Sequence, residues 1–362
     1  MAYQNVGTPR FYVNVLEWLN SNGSISISNI FRTLPVNVQS YHGDALKQTP
    51  NTWNDGWGWK FNKGYGFTEK SFFAILGVPR DVGALPPPSD VANPGGRQGV
   101  KITTNNNTNN IAPSAIINNE IDFGTFGALN YFDYSGFSMG TFNGIDLADS
   151  VTWEYHLIAR PLVVGSVVLG TYYDMQHSPD LSLTMSREYG GTKTIETKGG
   201  ASLSNSCYTK SPAWGRLGAW ELEIEPTTDQ GLARSGRRIW SLSFSFLDKG
   251  DIFGANQSLT NYGSETQSFL DTGAYEDSDY TPFPLGEESL TGFAYNILTD
   301  DSFFSQVIHK TNGGQLPFIF QPDNNSRHPD NFAICKLDMK SFKFDQVANG
   351  VYNMKLKIRE VW

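Results

Sequence analysis

The sequence predicts an all-β protein: an antiparallel β-sandwich or barrel with long loop insertions and one short helix. Short segments alternate apolar and polar residues with a period of two, which is the pattern of half-buried strands. Turn-forming glycine, asparagine and proline separate these segments. Aromatic residues make up 14% of the chain and charged residues only 17%, against a usual charged share of roughly 25%. A chain of this composition can bury a large core.

The C-terminal segment has the pattern of a β-hairpin. Asn349-Gly350 suits a type I′ turn, because both residues tolerate positive φ. We expect the strand over 341–347 to point Phe342 and Phe344 inward. The strand over 351–361 alternates with a period of two and places four apolar residues on one face: Tyr352, Met354, Leu356 and Ile358. The hairpin is therefore predicted to be a core element.

The N-terminal residues predict strands and then a tryptophan-rich loop. Over residues 11–36, apolar residues alternate in short patches, and we interpret 13–19 as strand, because a helix there would be apolar on too many sides. The run over 52–67, TWNDGWGWKFNKGYGF, predicts a loop or an irregular hairpin. The stretch over 86–113 contains PPPSD, NPGG and NNNTNN, and we expect it to be an extended excursion or a linker.

These changes of composition divide the chain into three parts. Residues 1–85 form an N-terminal β segment with the tryptophan- and glycine-rich loop, and residues 86–150 form a Pro/Asn/Gly-rich excursion or insertion. Residues 151–362 form the main β-sandwich, closed by the C-terminal hairpin. We predict its strands over 151–159, 162–173, 181–186, 192–198, 220–224, 238–247, 318–320, 332–337, 342–347 and 351–361.

The sequence predicts two elements of residues 151–362 in more detail, a strand and a short helix. Over 238–247, Trp240, Leu242, Phe244 and Phe246 are predicted to face the core while serines alternate on the other face. Serine in place of charge suits a surface that contacts another protein as readily as water. A short helix is predicted over 302–310, with Asp300 or Asp301 as its cap and Gly313-Gly314 at its end.

Composition and motifs argue against several functional classes. The formal net charge is −9 and no lysine or arginine block is present, so a groove-reading nucleic-acid function is not expected. No apolar run approaches the roughly 20 residues of a membrane span, and no secretory signal pattern begins the chain. Cys207 and Cys335 could form one long-range disulfide, but we interpret them as two reduced, inert thiols because the sequence shows no export signal.

No catalytic, cofactor or metal site is predicted. The sequence lacks a nucleophile elbow, a phosphate-cradling loop and a dinucleotide fingerprint. The five histidines have no metal-ligand spacing, and the acidic loops over 276–279 and 323–325 lack the spacing of a calcium loop. The alternating glutamates over 221–225 are interpreted as a solvated strand face. We therefore expect no enzyme activity and no cofactor.

Four tryptophans are the candidate interface residues. Trp53, Trp57 and Trp59 cluster in the glycine-rich run, and tryptophan anchors protein interfaces or stacks on sugars. Ordinary packing under a loop is the competing interpretation of this cluster. Trp362 follows the last strand, and we expect its ring to pack against the core or against a neighbouring subunit.

Four blocks of the sequence resemble a family of virion proteins. The blocks are TPRFYVNVLEWL, SREYGGTKTIETKGGASLSN, GRRIWSLSFSFLDKGDIFG and PFIFQPDNNSRHPDNFAICKLDMKSFKF. Together they are similar to the distal tail and baseplate hub proteins of long-tailed bacteriophages, including marine phages. The resemblance lies chiefly in residues 181–254 and 316–362, and no formal signature is among the blocks. Residues 37–150 match no pattern of that family.

The resemblance implies a structural protein and no catalytic residues. Members of the family are β-rich, form a ring that is usually sixfold, and join the tail tube to the tip proteins and fibres. The expected partners are other copies of the chain and other phage tail proteins, with DNA only as passing cargo and no membrane. The expected location is the virion, after synthesis in the host cytoplasm. The alternatives are a receptor-binding or glycan-binding module, a capsid or head-decoration protein, and a polysaccharide-degrading enzyme.

Overall fold

The computed structural model describes residues 6–23, 26–27, 29–33, 39–41, 56–61, 70–76, 99–104, 107–110, 115–116, 130–131, 137–142, 151–156, 162–164, 166–188, 192–206, 237–252, 301–326 and 331–361. Their first ten strands are β1 (Arg10–Asn14), β2 (Gln39–Tyr41), β3 (Gly56–Phe61), β4 (Ser71–Leu76), β5 (Gly99–Thr104), β6 (Asn107–Asn110), β7 (Ala115–Ile116), β8 (Asn130–Tyr131), β9 (Phe137–Phe142) and β10 (Val151–His156).

The later strands are β11 (Leu162–Val164), β12 (Ser166–Asp174), β13 (Thr184–Glu188), β14 (Thr192–Glu196), β15 (Ser202–Ser206), β16 (Arg237–Asp248), β17 (Phe318–Gln321), β18 (Ala333–Leu337), β19 (Phe344–Ala348) and β20 (Val351–Glu360). Among the described residues, the helical elements are α1 (Val15–Ser21), α2 (Lys249–Ile252), a π-helix (Phe304–Ile308) and two 3₁₀ turns (Asn29–Phe31 and His309–Thr311).

The described strands form one large antiparallel sheet and three small ones, which confirms the all-β prediction. The large sheet has eleven strands in the order β13-β16-β20-β18-β17-β1-β12-β4-β9-β7, with β19 also paired to β20. It is an open sheet and does not close into a barrel. The small sheets are β3-β10-β5-β6 with β8 on β5, then β11-β2, then β14-β15.

Two hydrophobic clusters cover the middle of the large sheet. Successive residues of β1 join them alternately, because side chains alternate between the faces of a strand: Phe11 and Val13 belong to the first cluster and Tyr12 to the second. The described residues of β16 and β20 join only the first cluster. The other face of these two strands is therefore left outside both clusters.

The predicted C-terminal hairpin is present, although its turn differs in detail. β19 and β20 pair in antiparallel register, and every apolar residue predicted for the inner face of β20 is buried. Phe342 and Phe344 are partly buried against the same cluster. Of the two turn residues, Gly350 has a positive φ, at 71°, and Asn349 does not. A type I′ turn requires positive φ at both positions, so this turn is not type I′. The register shift between Gln346 and Ala348 accompanies this different turn.

The strand predicted over residues 13–19 is wrong beyond Asn14. α1 begins at Val15 and buries Val15, Leu16, Trp18 and Leu19. Asn14 Oδ1 accepts a hydrogen bond from the Glu17 backbone N–H at 3.2 Å. This cap satisfies one of the donors that a helix leaves free at its start, so the chain turns from strand into helix. A helix with apolar residues on several sides is possible here because these side chains are all buried in the core.

The predicted helix over 302–310 is present in an unusual form. Phe303 precedes the π-helix, and a 3₁₀ turn follows it. The cap is Ser302, whose hydroxyl accepts the Ser305 backbone N–H at 3.2 Å. Asp301, which was predicted as a cap, instead pairs with Lys70 at 2.9 Å. Asn312 and the two following glycines have positive φ and end the segment, as predicted for the glycine pair.

A buried ion pair joins the large sheet near the end of β20. The Arg238 guanidinium lies over the Trp240 ring and contacts both carboxylate oxygens of Glu360, at 3.2 and 3.0 Å. It also donates to the Phe332 carbonyl at 3.0 Å. Glu360 accepts the Arg238 backbone N–H as well, at 2.8 Å. These bonds satisfy a charged pair that would be costly to bury alone.

The three-part division of the chain stays a prediction, but its parts share sheets. β1 lies between β12 and β17, so a strand from residues 1–85 sits between two strands from residues 151–362. β9, from residues 86–150, pairs with β4. β5 and β6, which were not predicted, lie in the stretch interpreted as an excursion. Among the described helices, none has the length and apolar character that crossing a membrane requires.

Candidate functional site

The uncovered face of β16 and β20 forms a groove of about 380 Å³. In the register of the two strands, Ser241 pairs with Lys357 and Ser243 pairs with Lys355, so a serine lies opposite a lysine at two positions of this face. The groove is lined by Ser182, Ser241, Leu242, Ser243, Asp338, Met339, Lys355, Leu356 and Lys357. The predicted serine-bearing face of the strand over 238–247 is therefore the wall of a groove.

The charges in the groove are only partly neutralised. Lys357 pairs with Asp338 at 2.8 Å, while no acidic partner of Lys355 lies among the described residues. The Ser182 and Ser243 hydroxyls lie 3.0 Å apart and hydrogen-bond to each other. The groove has one base more than it has acids, in a chain whose net charge is −9.

Two β-bulges lie beyond the groove, on either side of β20. The register of β16 shifts between Phe244 and Leu247, and that of β19 shifts between Gln346 and Ala348. Both Leu247 and Gln346 pair with Tyr352, so the two bulges are at the same level of the sheet. Each bulge turns an apolar side chain to solvent: Phe246 is 77% exposed and Val347 is 49% exposed.

Phe246 was predicted to face the core, and this prediction is wrong. Its φ is 62°, in the left-handed region that aromatic residues rarely adopt. The bulge places Ser245 and Phe246 where one residue would otherwise continue the alternation, so Leu247 takes the buried position. The Asn353 side chain holds this conformation, because its Oδ1 accepts the Phe246 backbone N–H at 3.1 Å. The fold maintains a strained backbone that exposes a large apolar ring.

The hairpin of β14 and β15 has one apolar face that is exposed. Ile195 pairs directly with Leu203, and these side chains are 57% and 61% exposed. The residues that alternate with them, Thr194 and Ser204, are polar and exposed. Period-two alternation normally marks a strand with one buried face. A two-stranded hairpin is marginally stable in water by itself.

The edge strand β13 adds to this exposed apolar surface. It ends the large sheet and pairs only with β16 in the described sheet order. Leu181, just before it, is 69% exposed, and Met185 within it is 52% exposed. The sequence pattern predicted these residues as one apolar strand face, but that face is largely uncovered. An uncovered edge strand is a common site of strand pairing with another chain.

Buried titratable groups lie away from these surfaces. Lys310 is fully buried, and its Nζ donates to Gln306 Oε1 at 2.8 Å, while the Thr171 hydroxyl lies 3.3 Å from the same oxygen. Burial lowers the pKa of Lys310 to about 7, and the charge of Asp301 opposes this change. The amine is therefore a group of the core and not a surface ligand.

The other residues considered as catalytic or metal-binding groups are buried or make contacts that stabilise the fold. Cys335 is a buried free thiol, and burial raises its pKa well above the ordinary value, which makes it a poor nucleophile. In the acidic loop over 323–325, Asn324 donates to Asp174 at 3.0 Å, and Asp174 pairs with Arg10 at 2.6 Å. The described residues contain no group of three or more possible metal ligands. Cys207 and the acidic stretch over 276–279 lie outside the described residues.

Of the four tryptophans predicted as interface anchors, the structure describes the backbone of two. Trp57 and Trp59 lie in β3, where an irregular loop was one of the predictions. They pair with Tyr155 and Trp153 of β10, so their backbone belongs to a regular sheet. Trp53 and Trp362 lie outside the described residues. Their role as anchors stays a prediction.

Sequence reasoning missed the residues that define the exposed surface. Phe246 was assigned to the core by alternation, and the hairpin residues were recognised only as strand. The glycine pairs that bracket TKTIETK were the available signal for a projecting hairpin. No family model, no curated protein and no solved structure matches this chain.

Proposed function

We propose that this chain is a non-enzymatic structural protein of a tailed-phage virion. In this proposal it forms a ring with copies of itself, as a distal tail or baseplate adaptor, and joins the tail tube to tip proteins and fibres. The observation that carries the proposal is the exposed apolar face of the hairpin β14–β15. A chain with few charges that leaves Ile195 and Leu203 uncovered is suited to contact a further subunit.

Further observations support a role in assembly. The open edge at β13 and the two bulges beside β20 expose further large apolar side chains. The net charge of −9 suits a conduit, because an acidic wall repels passing DNA while clustered lysines would hold it by counterion release. The resemblance of four sequence blocks to distal tail proteins agrees with this role.

The first experiment measures the native mass of the purified chain. A sixfold ring has a mass near six times that of the 40.2 kDa chain. The variant with Ile195→Ser and Leu203→Ser together is expected to reduce this mass, because it removes the apolar face. The matched control, Thr194→Ala with Ser204→Ala, changes the opposite face of the same hairpin and is expected to leave the mass unchanged.

The second experiment locates the chain in an intact particle by electron microscopy. Density at the junction of tail tube and tip supports the proposal, whereas density in the head supports a capsid or decoration protein. A strict monomer that binds a glycan array, with binding lost in Trp57→Ala, would replace the proposal with a glycan-binding module. Turnover of cell-surface glycans that is lost with one Asp or Glu would replace it with an enzyme.

A further inference from the structure

Four basic side chains form a row on the face of β16 and β20 that lies outside both hydrophobic clusters. Lys355, Lys357 and Arg359 occupy alternate positions of β20, and alternate residues of a strand point to the same face. Arg237 begins β16 and lies in register with Glu188, whose carboxylate contacts the Arg359 guanidinium. We call these four basic residues the basic row. They stand out in a chain whose net charge is −9.

Two members of the basic row have an acidic partner and two do not. Lys357 pairs with Asp338 at 2.8 Å, and Arg359 pairs with Glu188. No carboxylate among the described residues pairs with the other two members, which lie at opposite ends of the row. Each end of the row therefore carries a positive charge without an ion-pair partner in the described part of the chain.

The other carboxylates beside this face are engaged elsewhere. Asp180 accepts the Ser245 hydroxyl at 2.9 Å, and Asp345 pairs with Lys343 at 2.8 Å. At the ends of the basic row, Lys355 is exposed and Arg237 is partly exposed. Both bases can therefore be reached by a group of another molecule.

The groups along the basic row are mostly hydrogen-bond donors. Ammonium and guanidinium groups only donate, and the hydroxyls of Ser241 and Ser243, which lie opposite two of the lysines, can also donate. A complementary ligand presents acceptors with negative charge. Carboxylates meet this requirement, and their hydrogen bonds to charged donors are stronger than those between neutral groups.

The spacing of the basic row matches an extended peptide. Alternate residues of a strand are about 7 Å apart, and an extended ligand repeats its side chains on one side at the same distance. Arg237 lies two residues beyond the pair of Ile239 and Arg359, so the row from Lys355 to Arg237 is about 20 Å long. An extended acidic segment of about six residues can therefore contact both unpaired bases.

Nucleic acids and glycans fit this face less well. Single-stranded nucleic acids and sugars are commonly held by aromatic rings that stack on them. None of the described residues that line the groove is aromatic. The net charge of −9 also opposes the approach of a long polyanion. A short acidic segment of a protein meets less of this repulsion.

We propose that the basic row is the docking surface for an extended segment of a partner protein that carries carboxylates at alternate positions. The segment lies along β20, and its carboxylates contact the bases at the two ends of the row. Charge complementarity of this kind selects a partner and speeds its association. The inference goes beyond the proposed ring, because it concerns a different partner and does not depend on contacts between copies.

Fluorescence anisotropy at low salt tests the docking with a labelled peptide of about eight residues, in which glutamate alternates with serine and which spans the row when extended. We expect saturable binding to the full chain, weakened by added salt. Lys355→Glu should lower the affinity by about tenfold. The matched control, Lys198→Glu, makes the same charge change on the exposed hairpin and should leave the affinity within about twofold of the parent.

Lys355→Met separates binding from folding, because it removes the charge from an exposed position. We expect it to lower the affinity by about two- to fivefold, with a urea unfolding curve like that of the parent. Loss of binding only where the unfolding curve also changes would contradict the docking.

Three results would overturn the proposal. The first is no saturable binding of the alternating peptide, or an equal loss of affinity in Lys198→Glu. The second is equal binding of a peptide of the same composition with its glutamates in one block, because alternate spacing then has no role. The third is tighter binding of a single-stranded oligonucleotide or a sulfated polysaccharide that is lost in Lys355→Glu, because the face then belongs to another class of ligand.

Discussion

Replacing Lys310 with methionine tests the buried polar cluster quantitatively. Burial lowers the pKa of this amine from 10.5 to about 7 in the folded protein. Between these values the unfolded chain binds more protons than the folded chain, so stability rises with pH across this window. Below pH 7 the folded protein bears the full cost of a buried ammonium group, and above about pH 10.5 the cost is absent.

The size of the effect follows from the same pKa values. Each unit of pKa difference corresponds to about 1.4 kcal/mol, so the cost near pH 7 is on the order of 4 kcal/mol and declines by about 2 kcal/mol by pH 9. Methionine fills the space of the lysine stem without a charge, but it loses the bond to Gln306, at about 1 kcal/mol. We expect Lys310→Met to be more stable than the parent by about 3 kcal/mol at pH 7 and by about 1 kcal/mol at pH 9.

Urea unfolding at pH 7, 8 and 9 measures this difference. His309 does not contribute in this range, because burial lowers its pKa below its ordinary 6.5 and it stays neutral. The control is Lys355→Met, which removes an exposed lysine and is expected to change the free energy of unfolding by less than about 0.5 kcal/mol. A stability difference for Lys310→Met that is the same at pH 7 and pH 9 would refute the reasoning.

Three further predictions concern the packing of the sheet. Glu360→Gln leaves the Arg238 guanidinium buried without a carboxylate, so urea unfolding should show a loss of about 3 to 5 kcal/mol, and a loss below about 1 kcal/mol would contradict the buried pair. Gly170→Ala would place a Cβ 1.8 Å from the Val13 carbonyl oxygen, so soluble yield and the melting temperature should fall sharply, and a parental melting temperature would contradict this close approach. Deleting residues 351–362 removes β20 from between β16 and β18, so the product should be insoluble or monomeric, whereas normal assembly would show that the hairpin is dispensable.

Much of the local structure could be predicted from the sequence. The alternation over 351–361 predicted the buried face of β20, and the glycine pair after residue 312 predicted the end of the helical segment. α1 could also have been found, because Asn14 followed three residues later by Glu17 is a capping pattern. Apolar residues on several sides of this segment argue against a helix only if one side of the helix is assumed to face solvent. In the structure α1 is buried on several sides.

The exposed apolar surface was harder to predict from the sequence. Alternation placed Phe246 in the core, whereas a bulge shifts the register by one residue and moves that side chain to the other face. The same alternation identified Ile195 as a strand residue without showing that its face lacks a cover. Sequence could propose the tryptophan cluster because tryptophan is recognisable by type, but the exposed apolar residues are of types that usually lie inside.

The sequence by itself determined which residues share a strand face, where most turns fall and that the chain is all-β. These features depend on neighbours within a few positions, so a local pattern carries them. Only the tertiary structure decided which faces are covered, where the two bulges meet beside β20 and that the hairpin projects with its apolar side open. The physical reason is that burial depends on which distant segments pack together, and alternation is the same whether the apolar face meets a core, a neighbour or water.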